Sequence, residues 1–309
     1  MSRSNILELV KYEIRWQDAS LAPVIGLRSN NPQVNQKEKE HMDILGIDIG
    51  GSGIKGAIVN AATGELVTER LRVPSPSTFQ PDEVVTLTAD LVKQFNYNGP
   101  IGVGFPAVVM RGTVMTPPTA LAYPGWDNVN LAERLSAATG CPVTVGNDAD
   151  VACLAEIHFG AGKDQNGLVM VFTIGTGIGS AVFFNGQIIP NSELGRLYLR
   201  DSKKTIEQIA SDRIREEQKL SWKEWGERLN QYFQYMDLLF WPDVIIIGGG
   251  VSKKHEKFFP HIKVRAKLLP AAFRNEAGIV GAAMAALDMH VPQPWELPGV
   301  GHSSGDEGA

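Results

Sequence analysis

Cysteine is scarce in this chain of 309 residues: only Cys141 and Cys153 are present. Two thiols cannot staple a disulfide scaffold, nor alone make a four-ligand zinc site. They fit a reducing, cytoplasmic setting and read as small buried hydrophobes. Long apolar runs are missing too. No stretch reaches the ~18 residues of a spanning helix, so no membrane partner is expected. Positive charge is not in excess, since 29 lysines and arginines face 34 acidic residues for a net charge of −5. Nucleic acid therefore has no electrostatic footing as a main partner. An apolar signal core is absent, and Glu8, Glu13 and Asp18 speak against a transit peptide. There is no G-x-x-x-x-G-K-[ST] loop, and no G-x-G-x-x-G at a strand-to-helix turn, which argues against P-loop and Rossmann sites.

What the chain has instead is glycine at the ends of apolar strands. Residues 44–56 read Ile-Leu-Gly-Ile-Asp-Ile-Gly-Gly-Ser-Gly-Ile-Lys-Gly, a buried strand whose Asp48 meets a glycine turn before a second, antiparallel strand at 57–60. Glycines permit positive φ and let backbone N–H groups approach an anion. Asp48 would offer a carboxylate to Mg²⁺ carried on phosphates. The plain alternative is an ordinary hairpin turn. Two further stretches repeat the pattern, Val169–Ala181 (VMVFTIGTGIGSA) and Asp243–Ser252 (DVIIIGGGVS). One such turn is weak evidence and three in this order are strong.

These motifs resemble the phosphate 1, phosphate 2 and adenosine motifs of the actin-like sugar kinases. Within that group the chain resembles the ROK family, and most closely its polyphosphate glucokinase branch, from about Asp43 to Leu287. The resemblance implies a two-domain actin-like ATPase (ribonuclease H-like) α/β fold. It also implies phosphate contacts from Asp48, Gly50, Gly51, Ser52, Gly53, Lys55, Thr173, Gly175, Thr176, Gly177, Gly248, Gly249 and Gly250.

Asn147-Asp148 follows a strand at 142–145 and precedes a helix at 149–159. A carboxylate at a strand end beside a cleft can take the proton of a substrate hydroxyl; Asp or Asn before a helix can equally be an N-cap. The resemblance favours the first, with Asn147 and Asp148 on the sugar and Asp148 as base. Glu193-Leu-Gly-Arg196 looks like the family's Glu-Leu-Gly-His sugar clamp, with Arg196 in the histidine's place. Glu193 and Arg196 lie three apart and could pair; alternatively the guanidinium reaches ring hydroxyls, donor phosphates or solvent. Glu207, in Thr205–Ser211, is either a second sugar carboxylate or an exposed helix residue. Most family members carry a His/Cys zinc site between these segments, but 201–205 holds neither residue type, so no zinc is expected.

The rest of the chain reads as alternating strands and helices, the mark of a layered α/β protein. Strands are expected at 66–73, 101–105 and 243–247, and helices at 81–95, 130–139 and 221–241. The last helix carries seven aromatics, Trp222 to Trp241, a stripe that usually means core. Beyond Gly250 the chain turns basic, with Lys253, Lys254, Lys257, Lys263, Arg265, Lys267 and Arg274, which is either a polyanion track or a solvated face. Segments 1–42 (with a short helix near 6–16) and 290–309 are expected to be an extension and a tail, both partly or wholly disordered. The domains expected are 43–147 plus 275–289, and 148–274.

The function these features imply is transfer of a phosphoryl group from polyphosphate or ATP to the 6-hydroxyl of glucose or a related hexose, with Mg²⁺. The rivals are an ATP-only hexokinase or mannokinase, and a sugar-binding sensor that has lost catalysis. A homodimer is compatible with any of these.

Overall fold

The computed structural model describes residues 42–118, 123–199, 202–273 and 276–288. The helix read near 6–16, the rest of the expected extension up to 41, the tail at 290–309 and Arg274 of the basic run lie outside the described residues.

Two five-stranded sheets carry the fold. The first is built from β1 (Asp43–Gly50), β2 (Gly53–Asn60), β3 (Leu71–Val73), β4 (Ile101–Phe105) and, later in the chain, β8 (Val143–Asn147), in the order β3-β2-β1-β4-β8. Helix α1 (Pro81–Gln94) precedes β4. A small sheet of β5 (Val109–Met110), β6 (Thr113–Val114) and β7 (Val129–Asn130) and helix α2 (Leu131–Thr139) lie between β4 and β8. The second sheet uses β9 (Leu168–Ile174), β10 (Ile178–Phe184), β11 (Gln187–Ile189), β12 (Val244–Gly248) and β13 (Lys267–Pro270), in the order β11-β10-β9-β12-β13. In both sheets three antiparallel strands are extended by two parallel ones. One folding plan is thus used twice.

The remaining helices are α3 (Asp148–Phe159), α4 (Glu207–Ala210), α5 (Asp212–Glu217), α6 (Trp222–Phe240) and α7 (Ala277–Asp288). Helices α3 and α7 pack on each other, and their apolar residues form one core with the facing residues of both sheets, including Ile44, Val59, Val169, Val171 and Ile246. Helix α7 is mostly small residues, and glycines opposite let its backbone approach. A Cβ on Gly46 would stand 1.9 Å from the Ile279 carbonyl oxygen, and one on Gly102 would stand 1.6 Å from that of Ala282. The outer face of the second sheet is covered by α6, through Trp225, Tyr232 and Phe233 against Phe172 and Ile245.

Three sequence expectations change. The second strand starts at Gly53, not 57, because ladder pairing runs unbroken to the turn. The strand expected at 66–73 shrinks to 71–73: the Thr68 hydroxyl takes the Ile58 N–H, so a side chain replaces the ladder there. The aromatic stripe divides. Trp225, Tyr232 and Phe233 are core, whereas Tyr235, Phe240 and Trp241 are exposed at the helix's far end. Both cysteines are free and buried.

Candidate active site

Asn147 ends β8 and caps α3, its side-chain oxygen accepting the N–H groups of Ala149 (2.9 Å) and Asp150 (3.2 Å). The capping role considered for Asp148 therefore belongs to its neighbour. The Asn147 amide also donates to the Ala107 carbonyl at 3.0 Å, which leaves at most one N–H for a sugar. Asp148 is exposed, its carboxylate accepting the adjacent Ala149 N–H at 2.8 Å. Although solvent reaches it, the protein crowds it closely. Loss of hydration, opposed by that N–H, and then the charges of Asp48 and Glu193, raise its pKa to about 6. Three carboxylates far apart in sequence thus converge on one region.

Glu193 and Arg196 are joined, Nε to Oε2, at 2.9 Å. Of the pairings open to Arg196, the one with Glu193 is realised. Glu207 is part-buried and points at the β9–β10 turn rather than into solvent. Its Oε2 lies 3.5 Å from the Ile178 nitrogen and would stand 2.9 Å from a Cβ on Gly177.

The glycine turns lie at the ends of the strands of both sheets. Gly50 pairs with Gly53 around Gly51 and Ser52, both exposed. Lys55, one strand away from Asp48, holds its Oδ2 at 3.1 Å. At the second turn Gly175, Thr176 and Gly177 link β9 to β10, closed by the Gly175 N–H on the Gly177 carbonyl at 3.0 Å. Thr173, at the end of β9, and Ala149, next to Asp148, both flank Gly179: a Cβ there would meet them at 2.5 and 2.9 Å. The start of α3, next to Asp148, and the strand after the second turn are therefore neighbours. Gly249, with φ 81°, abuts the end of β9, where a Cβ would stand 2.2 Å from the Ile174 carbonyl oxygen. Between α3, β9 and this third cluster lies a cavity of about 260 Å³, lined by Cys153, Thr173, Gly248, Gly250, Ser252 and Lys253 among others.

Sequence reasoning missed several residues here. Arg72 donates to the Ser52 carbonyl at 2.7 Å and packs under Gly53. Arg213 braces the second turn through Gly175 and Thr176. Asp150 is buried; desolvation, opposed by the Asn191 N–H, raises its pKa to about 7, and the charges of Glu193 and Asp148 add to the rise. These residues act through contacts 20 to 41 positions distant, for which a sequence carries no spacing signal.

Among the described residues no cluster of three or more His, Cys, Asp or Glu could hold a metal ion by itself. A single carboxylate, Asp48, two residues before the first glycine turn, is a donor that suits Mg²⁺ arriving on phosphates, since that ion keeps most of its ligands as water and phosphate oxygen.

A family model described as "ROK family" matches residues 44–195. Polyphosphate glucokinase of Mycobacterium tuberculosis (strain CDC 1551 / Oshkosh) is 42% identical over 244 residues, 79% of this chain and 91% of that protein. The crystal structure of an inorganic polyphosphate/ATP-glucomannokinase from Arthrobacter sp. strain KM matches with a TM-score of 0.71 and 42% identity, covering 80% of this chain and 99% of that one. A ROK family glucokinase from Streptomyces griseus, solved with glucose and AMPPNP, matches at 0.64 and 22% identity over 79% and 98% of the two chains, a likeness of fold.

Proposed function

Because this chain belongs to the ROK family and has the actin-like sugar kinase fold, we propose that it is a glucokinase that moves a phosphoryl group from inorganic polyphosphate or ATP to the 6-hydroxyl of glucose. The observation that carries this reading is the meeting of Asp148 with Glu193 on one side and with the glycine turns on the other.

The Asp148 carboxylate takes the proton of the 6-hydroxyl while that oxygen attacks the terminal phosphorus of the donor, and the bond from phosphorus to the leaving oxygen breaks. Such a transfer needs positioning and charge neutralisation more than covalent chemistry. Glu193 and Glu207 hold ring hydroxyls, and Asn147 fixes the helix start that presents Asp148. The turns at 50–53 and 175–177 hold donor phosphates through backbone N–H groups. Lys55 and Arg72 sit behind the first turn, and 248–250 borders the donor cavity. Bound near Asp48 on the phosphates, Mg²⁺ supplies neutralisation of their charge. We divide the chain into two domains, 43–147 with the last helix and 148–274, each supplying one of the two donor turns.

Polyphosphate is favoured as donor by the basic stretch after Gly250. Lys254 and Lys257 stand 5.7 and 5.8 Å from the Trp222 ring centre, where Arg215 also lies at 4.3 Å. Among the described residues Lys253, Lys254 and Lys257 have no ion-pair partner, so their charge is free for a polyanion.

The test is a matrix of glucose, mannose and fructose against ATP and long-chain polyphosphate, repeated at rising salt. Glucose turnover with polyphosphate at least as fast as with ATP, weakened steeply by salt through screening over ~8–10 Å, supports the reading. Turnover with ATP alone, with polyphosphate neither reacting nor competing, removes the polyphosphate half. No turnover with any pair removes the whole.

A further inference from the structure

Three hydrogen bonds tie down Asn191, at the corner between β11 and Glu193. Its side-chain oxygen accepts the Val109 N–H at 3.1 Å, and its side-chain amide donates to the Val109 carbonyl at 2.9 Å. The amide thus takes both backbone groups of one β5 residue, as a neighbouring strand would, although β5 and β11 belong to different sheets. From α3, Asp150 Oδ2 accepts the Asn191 backbone N–H at 2.6 Å. Asn191 has φ 61°, a left-handed conformation that asparagine tolerates better than most residues. The Glu193 N–H returns to the Asn191 carbonyl at 3.1 Å.

A closed circuit results. The helix that presents Asp148 grips the chain before Val109, through Asn147 on Ala107. It also grips the chain before Glu193, through Asp150 on Asn191, and the Asn191 side chain clips the two gripped segments together. We propose that Asn191 is a positioning residue for the sugar: through Val109 and Asp150 it holds Glu193 in register with Asp148. This rests on the reading of Glu193 as a sugar ligand. Without the clip, the Glu193 corner must be ordered by the sugar itself, and that cost falls on affinity. The donor side is untouched, because among the described residues the hydrogen bonds of Asn191 go to Val109, Asp150 and Glu193 and to neither glycine turn.

The experiment uses Asn191→Gly, which keeps the left-handed corner, and Asn191→Asp, which keeps an acceptor for Val109 but loses the donated N–H. Glucose binding is read by titration calorimetry, and KM for glucose and for the phosphoryl donor by initial rates, with the thermal midpoint measured on the same samples. Both variants are expected to weaken glucose binding about tenfold, as the loss of one or two net hydrogen bonds does. KM for the donor and kcat should stay within about threefold. An unchanged glucose affinity in both variants, with or without a lowered thermal midpoint, overturns the proposal. So does a matched rise in both KM values. Because calorimetry needs no turnover, an inactive wild type that binds glucose would remove the kinase reading, while the tenfold loss in the variants would still uphold the role of Asn191.

Discussion

Arg196 Nε stands 2.9 Å from Glu193 Oε2, so the carboxylate assigned to the sugar already has a cationic partner. A sugar has to share Glu193 with that guanidinium or displace it. Both side chains are part-exposed, and pairs of this kind are worth ~0–1 kcal/mol. Arg196→His, restoring the residue that the family resemblance expects, should therefore lower KM for glucose by up to about fivefold with little change in kcat. Initial rates at saturating donor measure it. An unchanged KM would mean that the pair persists beside the bound sugar.

Asp148→Asn keeps the size of the side chain and its place at the start of α3 but removes the proton acceptor. General-base catalysis commonly contributes about 10²–10⁴-fold, so kcat should fall by that order while calorimetry still finds glucose bound. A near-normal kcat would leave positioning alone as the source of rate.

The pH profile follows from the same group. With a pKa of about 6 rather than the ordinary 3.8, Asp148, as the proposed base, should be protonated in mild acid and become competent as pH rises. The profile of kcat/KM should climb through about pH 6 and level off above it. Glu193→Gln removes one of the negative charges that hold the value up, so its inflection should move to lower pH. A profile flat down to about pH 4.5 would assign the base elsewhere.

Gly102→Ala tests the packing of α7. The new Cβ would collide with the Ala282 carbonyl oxygen, a backbone atom that cannot rotate away. Overpacking of this kind costs about 1–3 kcal/mol and sometimes more, so thermal melting should show a clear drop. Wild-type stability would imply that the helix can shift outward freely.

Strands ending in glycine were legible because burial and turn chemistry leave marks a few residues apart, as at Ile44–Gly56 and Val169–Ile178. The pairing of Glu193 with Arg196 was legible for the same reason, being three residues apart. Asp148 was ambiguous, since a base and a cap use the same residue types in the same position; only the geometry assigns the cap to Asn147. Asp150, Asn191, Arg72 and Arg213 were silent. Each acts on a group brought near by tertiary folding, such as Val109, 82 residues before Asn191, and no local pattern records such a meeting. The strand expected up to Val73 failed at Thr68, where a hydroxyl outcompeted the backbone for one N–H.

The position of α7 also constrains the order of events during synthesis. Its residues, 277–288, lie against β1, β2, β4 and β8, which are complete by residue 147, and against α3. On a ribosome the first sheet is therefore finished well over a hundred residues before the helix that seals its inner face is made. Until then Ile44, Ala57 and Val59 lack their final partners. The nascent chain must keep that apolar face from other chains while the whole second sheet is assembled. Native closure of this core therefore waits for residues 277–288, the segment of small residues that lies between the two layers.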